Sequence, residues 1–216
     1  MANQGNVGNQ KLGGLTRSTS TDLRMDGSAA LVVVEAHGRY QEPVYTGSVF
    51  GSCNQAARTI TTLSTTVTGF CLTNPVGSGK NLVILDCCIA LATATSAAQL
   101  CYAYNASATA VTQTTAETVR NMLLLGNGTQ TPAPSAGVGL VARAATTPTA
   151  GVAVRAIGGG PVAASTIQEA FIADDVAGKL ILSPGAYLHL ASVTNTSSAI
   201  SSMLWEEVPL AGGYSN

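Results

Sequence analysis

The sequence predicts an all-β fold, an antiparallel β-sandwich preceded by an extended N-terminal arm. Three observations carry that expectation. Short runs rich in Val, Ile, Thr and Leu recur from Ala29 onward, Gly, Pro and Asn clusters separate them, and no alternation of strands with long helices emerges. The 216 residues are enough for one sandwich-sized core, so residues 1–28 read as the arm and 29–216 as a single domain.

In chain order, the arm is rich in Gly, Asn, Gln, Ser and Thr and carries too little apolar surface to offset its own ordering entropy, so it is either disordered or ordered by lying on a partner. Strands are expected at residues 30–35, 39–45, 58–68, 82–93, 99–104, 138–143, 152–157, 179–182, 187–193 and 200–206. The run 58–68 combines β-branched residues with hydroxyls and makes a better strand than helix. Turn residues cluster at 74–79, 126–132, 158–161 and 183–185, the last joining two apolar runs as a hairpin. A polar tip at 194–198 precedes the final strand, which Pro209 should stop. One helix is expected from Thr114 to Leu125, where Val119, Met122 and Leu123 recur at helical spacing before Gly126. Residues 128–160 alternate weakly and leave strand register open, and no fixed-period repeat is present.

Composition narrows the function. Only 10% of residues are charged, where about 25% is ordinary for a soluble domain, and mean hydropathy is +0.29. Such a chain is expected to hide surface in other subunits or in a membrane. The membrane reading fails on length: the longest apolar run, from Leu82 to Ala92, includes Asp86 and falls short of the roughly 20 residues that a spanning helix needs. With a formal net charge of −1 and no Lys/Arg cluster, direct binding to nucleic acid or to an anionic bilayer is not expected. The N-terminus lacks the basic start and apolar stretch of a secretory signal, so the chain is expected to stay in the cytoplasm where it is made. Cys53, Cys71, Cys87, Cys88 and Cys101 are odd in number and show no CxxC spacing, which favours buried free thiols over a disulfide framework or a zinc site. Adjacent Cys87 and Cys88 would point to opposite faces of a strand.

Candidate chemistry is sparse. Gly77-Ser-Gly-Lys80 lacks the earlier Gly and the following Ser or Thr of a phosphate loop, having Asn74 and Asn81 there, and leads into a strand-like run, so it reads as a turn. His37 and His189 are the only imidazoles, too few for a three-histidine metal site and without a nucleophile elbow in sequence. The carboxylate pairs Asp22/Asp26, Asp174/Asp175 and Glu206/Glu207 lack a loop of spaced oxygen ligands, and adjacent carboxylates in a strand diverge. Asn105, Asn127 and Asn195 head glycosylation sequons and read as polar loop tips. Trp205 reads as a core or interface anchor. No catalytic, cofactor-binding or metal-binding residue is assigned, and no cofactor is expected.

Ala36-His-Gly-Arg-Tyr40 with Gly47-Ser-Val-Phe50, Asn74-Pro-Val-Gly-Ser-Gly-Lys-Asn-Leu82, Ser183-Pro-Gly-Ala-Tyr187 and Trp205-Glu-Glu-Val-Pro209 together resemble virion structural proteins encoded among the head genes of tailed bacteriophages. Capsid decoration, or cement, proteins are the most similar group. That resemblance implies a jelly-roll-like sandwich, a homotrimer, the major capsid protein as partner and a place on the capsid exterior, with no enzymatic activity. Two other readings compete: a tail or head-fibre subunit for host attachment, which would show an aromatic or polar groove at loop tips, and a hydrolase using a single catalytic His.

Overall fold

The computed structural model describes residues 38–93, 99–124, 137–159, 171–193 and 196–210. The chain divides into two units, Met1–Arg39 and Tyr40–Asn216, and every element below belongs to the second. A five-residue helix, α1 (Gln41–Tyr45), leads into β1 (Val49–Cys53), β2 (Arg58–Ile60), β3 (Thr66–Thr73), β4 (Lys80–Thr93) and β5 (Gln99–Ala106). After these come β6 (Thr112–Glu117), β7 (Arg120–Asn121), β8 (Leu140–Thr146), β9 (Val152–Gly159), β10 (Phe171–Leu182), β11 (Ala186–Ser192) and β12 (Ser197–Pro209). They form two six-stranded antiparallel sheets. The first runs β10-β4-β12-β1-β7, with β2 also on β12, and the second runs β6-β8-β3-β11-β5-β9.

The pairing is nested. β1 pairs with β12, β3 with β11, β4 with β10 and β5 with β9, and successive pairs fall alternately in the first and second sheets. One long antiparallel ribbon rolled on itself has this pattern, which is the jelly roll. The segment between β5 and β9 adds β8 and β6 beside β3 and places β7 beside β1.

Between the sheets, alternate residues of the long strands meet in one apolar core that includes Trp205, Tyr102, Phe50, Phe70, Ile84 and Leu188. Each is almost wholly buried, and each large apolar side chain contributes about 1.5–3 kcal/mol relative to exposure. The polar corners are tied by side chains. Asn74, completely buried, donates from Nδ2 to the carbonyls of Lys80 and Leu182, both at 2.8 Å, and its Oδ1 accepts from Ser78 Oγ at 2.6 Å. It thereby clasps two of the places where the chain crosses between sheets, β3 to β4 and β10 to β11.

Several expectations need correction. Residues 39–45, expected as a strand, hold α1: Pro43 sits in its first turn, where the missing N–H costs no helical hydrogen bond, and Thr46 N donates to Glu42 O at 2.9 Å. The strand in this region is β1, just beyond. The single strand at 58–68 is instead β2 and β3, in different sheets, with the chain crossing between them. The helix from Thr114 to Leu125 is absent among the described residues. β6 lies there on β8 with alternating exposure and is followed by β7, because Thr112, Thr114 and Thr115 suit an edge strand while three apolar residues make too narrow a helical stripe. The turn at 183–185 forms as expected, with Gly185 at φ 86° and Ala186 N on Ser183 O, but it joins strands of opposite sheets and is no hairpin. β10 begins eight residues before the expected 179 and passes through a bulge at 175–180, where Ala177 and Gly178 take φ 52° and 77°. β12 ends at Pro209 as expected. The expected strand at 30–35 lies outside the described residues.

Candidate interaction surface

The residues weighed for chemistry are mostly built into the frame. Gly77 and Gly79 take φ 76° and 70° in a turn, and Lys80 opens β4 rather than a helix. Its Nζ meets Glu207 Oε2 at 3.0 Å. Glu206 and Glu207 diverge as alternation requires: Glu206 is half-buried facing outward and accepts from Ser48 Oγ at 3.4 Å, while the Glu207 side chain is wholly buried. Glu207 Oε1 also accepts the backbone N–H groups of Val138 and Gly139, at 2.7 and 3.0 Å, so this carboxylate pins the strand entering β8.

Asp174 and Asp175 diverge too. Asp174 points between the sheets and accepts from Arg155 Nη2 at 2.7 Å and from Tyr102 Oη at 2.9 Å, an inter-sheet tie between β9, β10 and β5. Burial, with Cys87 and Asp174 alongside, pushes the Tyr102 phenol far up, and burial pushes the Cys87 thiol up to about 12. Both groups are therefore neutral proton holders and not nucleophiles. His189 is completely buried in β11. Its Nδ1 lies 3.4 Å from Leu190 O, its Nε2 has no hydrogen-bond partner among the described residues, and burial lowers its pKa from 6.5. Its register partner Cys71 is also buried, with the thiol pushed up to about 12 by desolvation, which is the opposite of a thiolate–imidazolium pair.

Asn105 is not a loop tip: it lies in β5, half-buried, and donates to Ala150 O at 2.9 Å. His37, Asp22, Asp26, Asn127 and Asn195 lie outside the described residues. All five cysteines are free, as expected; Cys71, Cys87 and Cys101 are buried, Cys88 is half-buried, and Cys53 departs from the expectation by being exposed. Cys87 faces the core and Cys88 faces outward, the divergence expected of neighbours in a strand. Trp205 is a core residue.

What the chain offers to a partner is a surface, and the two sheets differ in it. The second sheet is covered on both sides at its centre, where every residue of β11 is buried, while Tyr104, Leu140, Val152 and Val154 on its other strands are exposed. On its outer side Cys101, Ala103 and Ala191 pack under Leu63, and Val67, Cys71, Ala142 and Ala145 pack under Val111. The 147–151 loop lies against β11, with Tyr187 Oη donating to Thr149 O at 2.5 Å and Gly151 pressed onto His189, where any Cβ would collide with Nε2.

The first sheet exposes large apolar residues on its outer face along β10 and β12, while Val49 and Gly51 on β1 are buried. Along β12 burial alternates strictly from Ser197 to Glu207, with Ser197, Ala199, Ser201, Met203, Trp205 and Glu207 inside. Pairing register places cross-strand rows on its outer face. Phe171, Ala90 and Ile200 form one row; Ala173, Cys88, Ser202 and Cys53 form the next. The third runs Asp175, Asp86, Leu204, Gly51 and Arg120, and a fourth carries Ile181, Val83 and Glu206. Phe171 is 68% exposed, Ile181 56% and Ile200 41%. Gly51 is buried because the Leu204 and Met122 side chains lie over it, where a Cβ would collide with Leu204.

This face was not assigned from sequence. The signal was present in β12, where Ile200, Leu204 and Val208 sit on the parity opposite to Met203 and Trp205, so the strand is apolar on both sides. No protein-family model, curated protein or solved structure matches the chain.

Proposed function

We propose that the chain is a structural subunit of a phage virion, a decoration or cement protein that assembles with copies of itself and binds and stabilises the shell of the major capsid protein from outside. The observation that carries this reading is the open face of the first sheet. Phe171, Ile181, Ile200 and Val208 lie exposed on it, in a chain with only 10% charged residues. An apolar face of that breadth is a contact surface for other protein. The jelly roll is a frame used by viral capsid and lectin domains alike, so the fold by itself leaves function open. The head-gene resemblance and the charge deficit select the capsid reading. A shell presents many equivalent sites, and an oligomer touching several of them converts modest contacts into avid binding without any catalytic group. Nucleic acid, membrane and cofactor have no part in it.

The test is the mass of the purified protein by light scattering, alone and mixed with empty shells of the parent particle. A discrete oligomer that joins shells at fixed stoichiometry is the expected outcome, and a monomer that ignores shells overturns the reading. Deleting residues 1–26 is expected to weaken shell binding while the β-domain stays folded. Unchanged shell affinity would remove the arm from the mechanism.

A further inference from the structure

We propose that His189 and the 147–151 loop form an acid-operated latch on the outer side of the second sheet, in which a proton taken up by the imidazole lifts the loop while both sheets stay folded. In β11, Leu188 and Leu190 face the core, so His189 between them faces the outer side, where it is completely buried. The loop between β8 and β9 covers it, with Gly151 so close that any Cβ there would collide with Nε2. Nδ1 lies 3.4 Å from Leu190 O. A carbonyl only accepts, so the neutral ring carries its proton on Nδ1 and turns a bare lone pair at Nε2 toward the glycine. That arrangement fits the neutral ring alone. A second proton would place an N–H at Nε2, and the loop carbonyls beside it are already engaged. Thr149 O accepts from Tyr187 Oη at 2.5 Å and from Thr147 Oγ1 at 2.9 Å, and Ala150 O accepts from Asn105 Nδ2 at 2.9 Å.

The neighbours supply no counter-charge. β3 sets Cys71 beside His189, β5 sets Ala103, and β11 itself adds Tyr187 and Ala191 on the same side. The loop, Thr147-Pro-Thr-Ala-Gly151, holds no ionisable side chain. Among the described residues of these elements, the ionisable groups facing the imidazole are therefore a thiol and a phenol, with no carboxylate. An imidazolium buried there is unfavourable against one in water. The loop is the part that can yield. Pro148 and Thr149 are exposed, and the ties that hold the loop are Thr147 N and Oγ1 on Thr65 O together with the bonds from Tyr187 and Asn105. β11, by contrast, is laddered to β3 on one side and β5 on the other, so lifting the loop breaks fewer bonds than freeing the strand. The sign follows from burial, which holds the imidazole of the closed state below its ordinary 6.5. The open state, with a hydrated ring, therefore gains weight as pH falls through 6.5 and stops gaining at the closed-state value.

The decisive experiment is native-state amide exchange by NMR on the full chain, expressed as protection relative to each residue's unstructured rate, between about pH 7.5 and 5.5 and with urea added up to about 1 M. The amides of 147–151 are expected to exchange through a local opening, with lower protection than those of β12 and no response to urea. Their protection is expected to fall at least about threefold over that pH range, where linkage to one imidazole allows at most about tenfold. His189→Gln, neutral at every pH, is expected to remove the pH dependence. Tyr187→Phe, which loses the tie to Thr149, is expected to lower loop protection throughout and leave its pH slope unchanged. Loop amides that exchange only together with β12 and with the same urea response overturn the latch, and that comparison needs the wild type alone, whether or not His189→Gln folds. A slope that survives His189→Gln overturns it too. Shell binding enters none of these readouts, so the latch and the virion reading stand or fall separately.

Discussion

Glu207 is an acid enclosed by protein, and its partners explain why it can be. One oxygen takes two backbone N–H groups and the other takes Lys80 Nζ, so the carboxylate is satisfied on both sides. Glu207→Gln is expected to cost about 1–3 kcal/mol in urea unfolding, because the charge-assisted bond to Lys80 is lost while the two N–H groups keep a neutral acceptor. His189 makes the opposite case, a base held neutral by burial. Its folded pKa lies below 6.5, so as pH falls through 6.5 the unfolded chain binds a proton that the folded chain refuses, and stability drops until the folded pKa is reached. The slope is at most about 1.4 kcal/mol per pH unit from this group. His189→Gln is expected to flatten that part of the stability–pH curve, and equal slopes in both proteins would show that the imidazole is not the group responsible. Gly151→Ala is expected to destabilise by about 1–3 kcal/mol, since its Cβ would drive into the His189 ring with Ala103 Cβ close behind at 3.0 Å.

At the scale of elements, the crossings between sheets are where local sequence and long-range structure meet. Asn74 closes one corner by reaching Leu182 across the chain, so Asn74→Ala leaves two carbonyls without that donor and is expected to cost about 2–4 kcal/mol in the same unfolding assay. In β10 the bulge at 175–180 puts Val176 in the core while Asp174 and Asp175 keep opposite directions above it. Gly178, at φ 77° and with Val83 Cγ1 at 3.3 Å from a Cβ position, tolerates no side chain there without strain, and Gly178→Ala is expected to lower stability by about 1–2 kcal/mol. The proline–glycine turn at 183–185 was readable as a reversal, but a reversal does not choose a pairing partner. β10 found β4 and β11 found β3 and β5 because their apolar parities face the shared core from opposite sheets.

For the whole molecule, both sheets draw on one core, and the single tryptophan, Trp205, lies in it. Unfolding followed by Trp205 fluorescence and by far-UV circular dichroism is therefore expected to give coincident transitions. Separated midpoints would mean that the sheets melt independently. Self-association of the kind proposed above would also raise the midpoint with protein concentration, by mass action. At this scale the central strand of the second sheet is buried on both sides, while the first sheet exposes Phe171, Ile181 and Ile200 on its outer rows.

Local composition and patterning were enough for the β character of the chain, most strand positions after Arg58, the stop at Pro209, the divergence of Cys87 from Cys88 and of Glu206 from Glu207, and the shortage of charge that points to hidden surface. All of these depend on the chemistry of near neighbours and on a period of two along a strand. Which strands pair, that β2 and β3 belong to different sheets, and that residues 114–121 form edge strands instead of a helix were settled by long-range packing. Those outcomes depend on residues far apart in the chain, such as Asn74 with Leu182 and Arg155 with Asp174, and on which loops happen to cover a face. A strand apolar on both sides can be buried twice by its own chain, as β11 is, or once by its own chain and once by another, and that difference is a property of the assembled fold.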